Sequence, residues 1–206
     1  MLPDFAKATK NVFSPGTVEA YFSAEAPKAS WDKAAINLSF LYTVSFGISL
    51  IMSLLGIYPQ LNFFGTAADT SSYFTPAGLA FTLVTSIISL VLILALIHFI
   101  AGLFGGKDSM DKLVYLYSLA QIGLLPLSLP LLLLVYIPLL ACAVMIANFI
   151  VGLYGFFLLF KAVKALYKLE SLKAAAVVIL TYIVAMVLYL VFYLVLFFAG
   201  MLPPAS

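Results

Sequence analysis

The sequence predicts an all-α fold: a polytopic membrane protein, a bundle of five transmembrane helices with its N-terminus cytoplasmic and its C-terminus outside. Three observations carry this. Apolar residues make up 65% of the 206-residue chain and charged residues 9%, whereas a soluble domain carries about a quarter charged residues. The charges leave four long uncharged runs, 34–68, 70–106, 113–160 and 174–206. If the third run crosses the membrane twice, all ten lysines fall on one side.

A helical span needs roughly 20 apolar residues at about 1.5 Å rise each. The first, second and fourth runs each suit one span plus a loop, and the third, with 48 residues, holds two spans and a tight turn. Lysines accumulate on cytoplasmic flanks and set orientation. A single crossing in the third run would split the lysines six against four; two crossings place them ten to none. The expected spans are about 33–58, 76–104, 111–135, 137–167 and 171–200, between a cytoplasmic segment 1–32 and a short outer tail 201–206.

In the N-terminal segment, Ser14-Pro15 reads as the N-cap and first residue of a short helix running to about Glu25. Val18, Tyr21 and Phe22 share one face of it, which suits a helix lying in the cytoplasmic headgroup layer and leading into Trp31. A partly ordered tail is the alternative. The first span carries Ser45, Ser49 and Ser53 at four-residue spacing with Gly56 beyond, a small-residue stripe suited to close helix approach. The sequon at Asn37 lies inside this span and is inaccessible to glycosylation. The loop 58–75 holds Phe63, Phe64, Tyr73 and Phe74 and is expected to rest on the outer interface.

Thr75-Pro76 caps the second span, and Gly105-Gly106 ends it through left-handed C-cap geometry. Ser109 is the natural N-cap of the third span, with Asp111 in its first turn. Pro126 and Pro130 are expected to kink or break that span, and Pro138 to open the fourth. The fourth continues past the membrane with Lys161, Lys164 and Lys168 on one face, a basic stripe facing anionic lipid headgroups or a partner. Each lysine near such a surface contributes about 1 kcal/mol. Pro203-Pro204 stops the aromatic-rich fifth span.

The same residues exclude several functions. Without arginine, and with a net charge of only +2, the chain lacks the means to recognise nucleic acid. One cysteine, Cys142, and one histidine, His98, cannot build a Cys/His zinc site. Apart from charges at their cytoplasmic ends, no acid or lysine falls within the expected spans, which argues against proton relays and intramembrane catalysis. No G-x-S-x-G elbow accompanies His98, and 102–107 fails the phosphate-loop spacing. No cofactor is expected, and the chain does not read as an enzyme.

What remains is a neutral polar layer. Counted from the lysines at about 1.5 Å per residue, Thr43, His98, Gln121 and Thr181 lie roughly 10–15 Å deep, with Asn148 somewhat deeper. They form either a cytoplasm-facing pocket for a lipid headgroup or small solute, or hydrogen-bonded packing contacts, the second being favoured.

The order of parts then points to a family. The segment Pro27-Lys28-Ala29-Ser30-Trp31 leads into the first span. The second span ends in a run from His98 through Gly105, Gly106, Lys107, Asp108 and Ser109. The third holds Tyr117 through Gln121 ahead of Pro126. Over roughly 12–196 the chain resembles the Yip1 family of polytopic membrane proteins, with Gly105, Gly106, Lys107 and Ser109 as the family-type cytoplasmic turn. The resemblance implies a five-helix membrane domain and, for eukaryotic relatives, association with Rab-type GTPases in vesicle traffic or membrane shaping. With only about 32 residues ahead of its first span, the chain looks more like the prokaryotic branch. No family active-site residues come with the resemblance.

The resulting expectation is a non-enzymatic adaptor or membrane-organising component acting through its cytoplasmic turns on lipid headgroups or a protein partner. A small-solute permease or lipid-handling protein using the polar layer is the alternative. Its place is a plasma membrane if prokaryotic, the endoplasmic reticulum or Golgi if eukaryotic.

Overall fold

The computed structural model describes residues 5–57, 62–63, 66–67, 75–137 and 140–198. Five long helices, here numbered α3 to α7, are apolar enough to cross a membrane. They are α3 (Trp31–Leu54), α4 (Pro76–Leu103), α5 (Met110–Leu134), α6 (Ala141–Tyr167) and α7 (Ser171–Phe198). Two short helices precede them, α1 (Phe5–Val12) and α2 (Val18–Glu25), followed by a 3-10 turn over Ala26–Lys28. Between α3 and α4, β1 (Asn62–Phe63) and β2 (Thr66–Ala67) pair antiparallel, with Asn62 opposite Ala67 and Phe63 opposite Thr66. Phe64, Tyr73, Phe74, Pro138 and the segment 201–206 lie outside the described residues.

Local chemistry sets the helix ends. The Ser30 side chain accepts a hydrogen bond from the Lys33 N–H and starts α3 at Trp31; Thr75 does the same for α4 through the Gly78 N–H. Pro126 and Pro130 do not break α5, which runs through both to Leu134. Each removes one N–H donor from the ladder, and the carbonyls of Ile122 and Pro126 lose their usual partners.

The N-terminal segment departs most from the sequence reading. Ser14 does not cap the second short helix. Its hydroxyl instead donates to the Lys10 carbonyl at 2.8 Å, closing an additional helix, α1, that the sequence reading omits. A turn follows, in which the Thr17 and Val18 N–H groups both donate to the Ser14 carbonyl, and α2 starts at Val18. The two helices form a hairpin inserted into the bundle, α1 along α5 and α2 along α6. The apolar face of α2 is therefore covered by protein: Val18 and Phe22 are fully buried and Tyr21 nearly so.

Helix α5 is central, packed between α3 and α6, with α4 and α7 paired on the outside. The core gathers at the lysine-rich end. There Leu94, Ile97 and Ala101 of α4, Leu113 to Leu125 of α5, Leu158 to Tyr167 of α6 and Ala174 to Val178 of α7 supply the buried residues.

Candidate functional site

The polar groups at the lysine-rich end sort into two structures, a clamp on the N-terminal hairpin and a pair of adjoining turns. In the clamp, Glu19 of α2 receives Lys161 Nζ at 3.1 Å and Lys164 Nζ at 2.9 Å. Glu25 receives Lys7 Nζ at 2.7 Å and Lys28 Nζ at 3.0 Å. The Lys164 hydrogen bond holds the Glu19 carboxyl below the usual carboxylate range, against a smaller opposing push from burial. For Glu25, burial pushes the carboxyl up, but the hydrogen bonds and charges of Lys7 and Lys28 together outweigh it and leave it below its ordinary value.

The expected basic stripe is thus divided. Lys161 and Lys164 are half-buried and hold the hairpin, whereas Lys168 is exposed at the C-cap of α6 in the left-handed region, φ 53°.

The glycine pair has two separate reasons. Gly105 takes φ 90°, which strains any residue with a Cβ. Its N–H donates to the Gly102 carbonyl and the Gly106 N–H to the Ala101 carbonyl, at 3.0 and 2.9 Å, a Schellman closure of α4. Gly106 is needed for space: a Cβ there would lie 2.8 Å from the Tyr167 ring and 2.9 Å from the Ala101 carbonyl. The Tyr167 hydroxyl sits 2.7 Å from His98 Nδ1, tying the ends of α4 and α6 together.

Ser109 occupies the N-cap position of α5 without a side-chain cap; its N–H donates to Asp108 Oδ1, which also receives Lys112 at 2.8 Å. Burial pushes the Asp108 carboxyl up, yet Lys112 and the Ser109 N–H bring it below its ordinary value. Lys107 is exposed and pairs with no described residue.

The five residues of the neutral polar layer do not converge. His98 is taken by Tyr167, and Thr181 is buried with its hydroxyl on the Val177 carbonyl at 2.8 Å. Thr43 is exposed in a crevice between α3 and α4. Asn148 is exposed beside Ser45 and Ser128. Gln121 lines a cavity between α3, α4 and α5. Counting depth along each helix gives the level of a side chain but not the direction in which it points, which is why residues at one level have separate surroundings.

The Yip1-domain family model matches residues 15–195. The chain belongs to the Yip1 family. No curated protein and no solved structure matches it. Membership of the Yip1 family and the five apolar helices make it an integral, multi-pass membrane protein. Yip1-family proteins are in general non-enzymatic membrane proteins, and members interact with other proteins. The match opens at Pro15, so α1 lies ahead of it.

Three contacts of this Yip1 domain were missed in the sequence. Val12 fills the notch over Gly123, where a Cβ would come within 2.5 Å of its methyl group. The Tyr154 hydroxyl donates to the Val12 carbonyl at 2.5 Å, and the Tyr154 ring stacks on Phe13. Asn37 Nδ2 donates to Ser118 Oγ at 2.9 Å, and Ser118 in turn donates to the Tyr115 carbonyl at 2.7 Å. An amide inside a span was the available signal for the last, since such groups pair across helices. The glycine of the Val12 notch carried none.

Proposed function

We propose that this Yip1-family protein is a membrane adaptor that holds a partner protein against the anionic cytoplasmic surface of its membrane. The observation that carries the reading is the surface formed by the 104–109 and 168–170 turns. The close approach of Gly106 to Tyr167 brings these turns together. Lys107 and Lys168 stand exposed on them, and neither has an ion pair or hydrogen bond with any described residue. Leu103 and Leu172, 72% and 82% exposed, flank them. Two solvated cations beside two exposed leucines suit a contact with headgroups and with an apolar patch on a partner. Lys161 and Lys164 are excluded from this surface because Glu19 already engages them.

The test is crosslinking through lysine in the native membrane, followed by mild-detergent purification and mass spectrometry. A stoichiometric partner joined at Lys107 or Lys168 is expected, and Lys107→Ala with Lys168→Ala should lower its recovery about tenfold. Undiminished recovery from that variant would overturn the reading. Charge reporters placed after Thr17 and in the 168–170 turn test the cytoplasmic orientation, and both should report the same side.

A further inference from the structure

Between α3, α4 and α5 lies a cavity of about 390 Å³, within the ~300–1,000 Å³ range of small-molecule sites. Of its eight polar side chains, Thr82 and Ser128 behave like the other hydroxyls of the bundle and six do not. Thr82, Thr85, Ser118, Ser128 and Thr181 each donate to a carbonyl one turn back on their own helix, which satisfies a hydroxyl away from water. Tyr42, Ser45, Ser49, Ser86, Tyr117 and Gln121 face the cavity and make no hydrogen bond to any described residue. A polar group left unmatched in a bilayer is costly. Six such groups around one space amount to a recognition surface with capacity to spare.

We propose that this cavity binds the uncharged, hydroxyl- or ester-bearing end of a membrane lipid, with diacylglycerol as the chemical type. No lining residue is charged, so a phosphate would be buried without a counter-ion. Tyr117 and Ser128 at the two ends of the α5 wall stand roughly 10 and 27 Å along the helix from Met110 at about 1.5 Å per residue. That is deeper than a phosphodiester headgroup sits and within reach of a lipid lacking one.

Exposed Ser45 and Ser86 leave the cavity open toward the bilayer, and Leu38, Leu79, Leu83 and Leu90 supply an apolar wall for acyl chain. A helix from a partner is too large an occupant, because a cylinder about 10 Å across fills this volume in roughly one turn. Helix α4 packs more extensively on α7 than on either α3 or α5, so the α3–α4 side can admit a chain laterally.

The experiment uses the full chain reconstituted in phosphatidylcholine vesicles carrying a photoactivatable diacylglycerol, with photoactivatable phosphatidic acid in a parallel sample. Label from diacylglycerol is expected to concentrate on peptides covering 38–49 and 117–128. Phosphatidic acid should label them about tenfold less. Gln121→Leu with Tyr117→Phe should reduce the diacylglycerol label there about five- to tenfold and leave label on α7 unchanged. Even labelling of all lipid-facing helices in the unaltered protein would overturn the proposal without any variant. Equal labelling by the two lipids, or an unchanged yield in a folded variant, would do the same.

Discussion

Helix α7 shows two kinds of membrane helix in one element. Its first third buries Ala174, Val177, Val178 and Thr181, whereas Ile183, Met186, Tyr189 and Phe192 further along are all exposed. Helix α5 divides in the same way, buried from Leu113 to Leu125 and looser beyond Pro126. Apolar content does not separate the halves, since lipid tails are as apolar as leucine and packing leucines together gains little there. Small residues and polar links separate them. Ala101, Gly106, Gly123, Ala162 and Ala174 allow close approach at the lysine-rich half. The Glu19 and Glu25 clamps, the His98–Tyr167 contact and the Asn37–Ser118 bond all lie there too. The opposite half, apart from buried Leu79 and Tyr136, turns many of its leucines and aromatics outward, a surface suited to acyl chains.

The sharpest way to break this contrast is Gly123→Val. Its side chain would occupy the space of Val12 and should destabilise hairpin docking by about 3 kcal/mol, read as faster hydrogen exchange over 5–25. Wild-type protection in that variant would mean that the notch does not hold the hairpin. Glu25→Gln should cost about 1 kcal/mol, because the Lys7 and Lys28 pairings lose their charge partner.

The pH dependence has the sign of a depressed carboxyl. The clamp's contribution is full above the ordinary carboxyl value of 4.5 and is lost as pH falls below it, through the lower folded values of Glu19 and Glu25. Hydrogen-exchange protection over 5–25, taken relative to the intrinsic amide rate at each pH, should fall in that acid range and stay flat from about pH 6 to 8. A loss of protection on raising the pH would count against the clamp. Asn37→Leu should lower the thermal midpoint slightly, by about 0.6 kcal/mol of stability, since Ser118 keeps its bond to the Tyr115 carbonyl. Val191→Ala in the outward half should change stability by less than about 0.5 kcal/mol; a larger loss would show that this half is packed after all.

The five long helices were legible because run length and charge spacing are one-dimensional quantities, read directly from where lysine and acid interrupt the chain. The Gly105-Gly106 ending was legible for a similar local reason. The hairpin was not. Helix α1 is short and carries Lys7 and Lys10, and its apolar contribution is little more than Ala8 and Val12. Helical spacing groups Lys161, Lys164 and Lys168, but the acid that engages the first two lies 142 residues from Lys161 in sequence, on α2. Pairings at that separation leave no periodic trace. The scatter of His98, Gln121 and Asn148 has the same origin, since helix rotation is decided by neighbours.

The hairpin's position also fixes an order of events during synthesis. The Val12 carbonyl waits for Tyr154, 142 residues later in the chain. At about 5–20 residues per second this takes roughly 7–30 s. Val12 has emerged well before its notch at Gly123, and α2, with Val18 and Phe22, before the α6 face along which it packs. The earliest-made apolar face of the protein is among the last to find its place, and the ribosome's pace sets the shortest time in which this bundle can close.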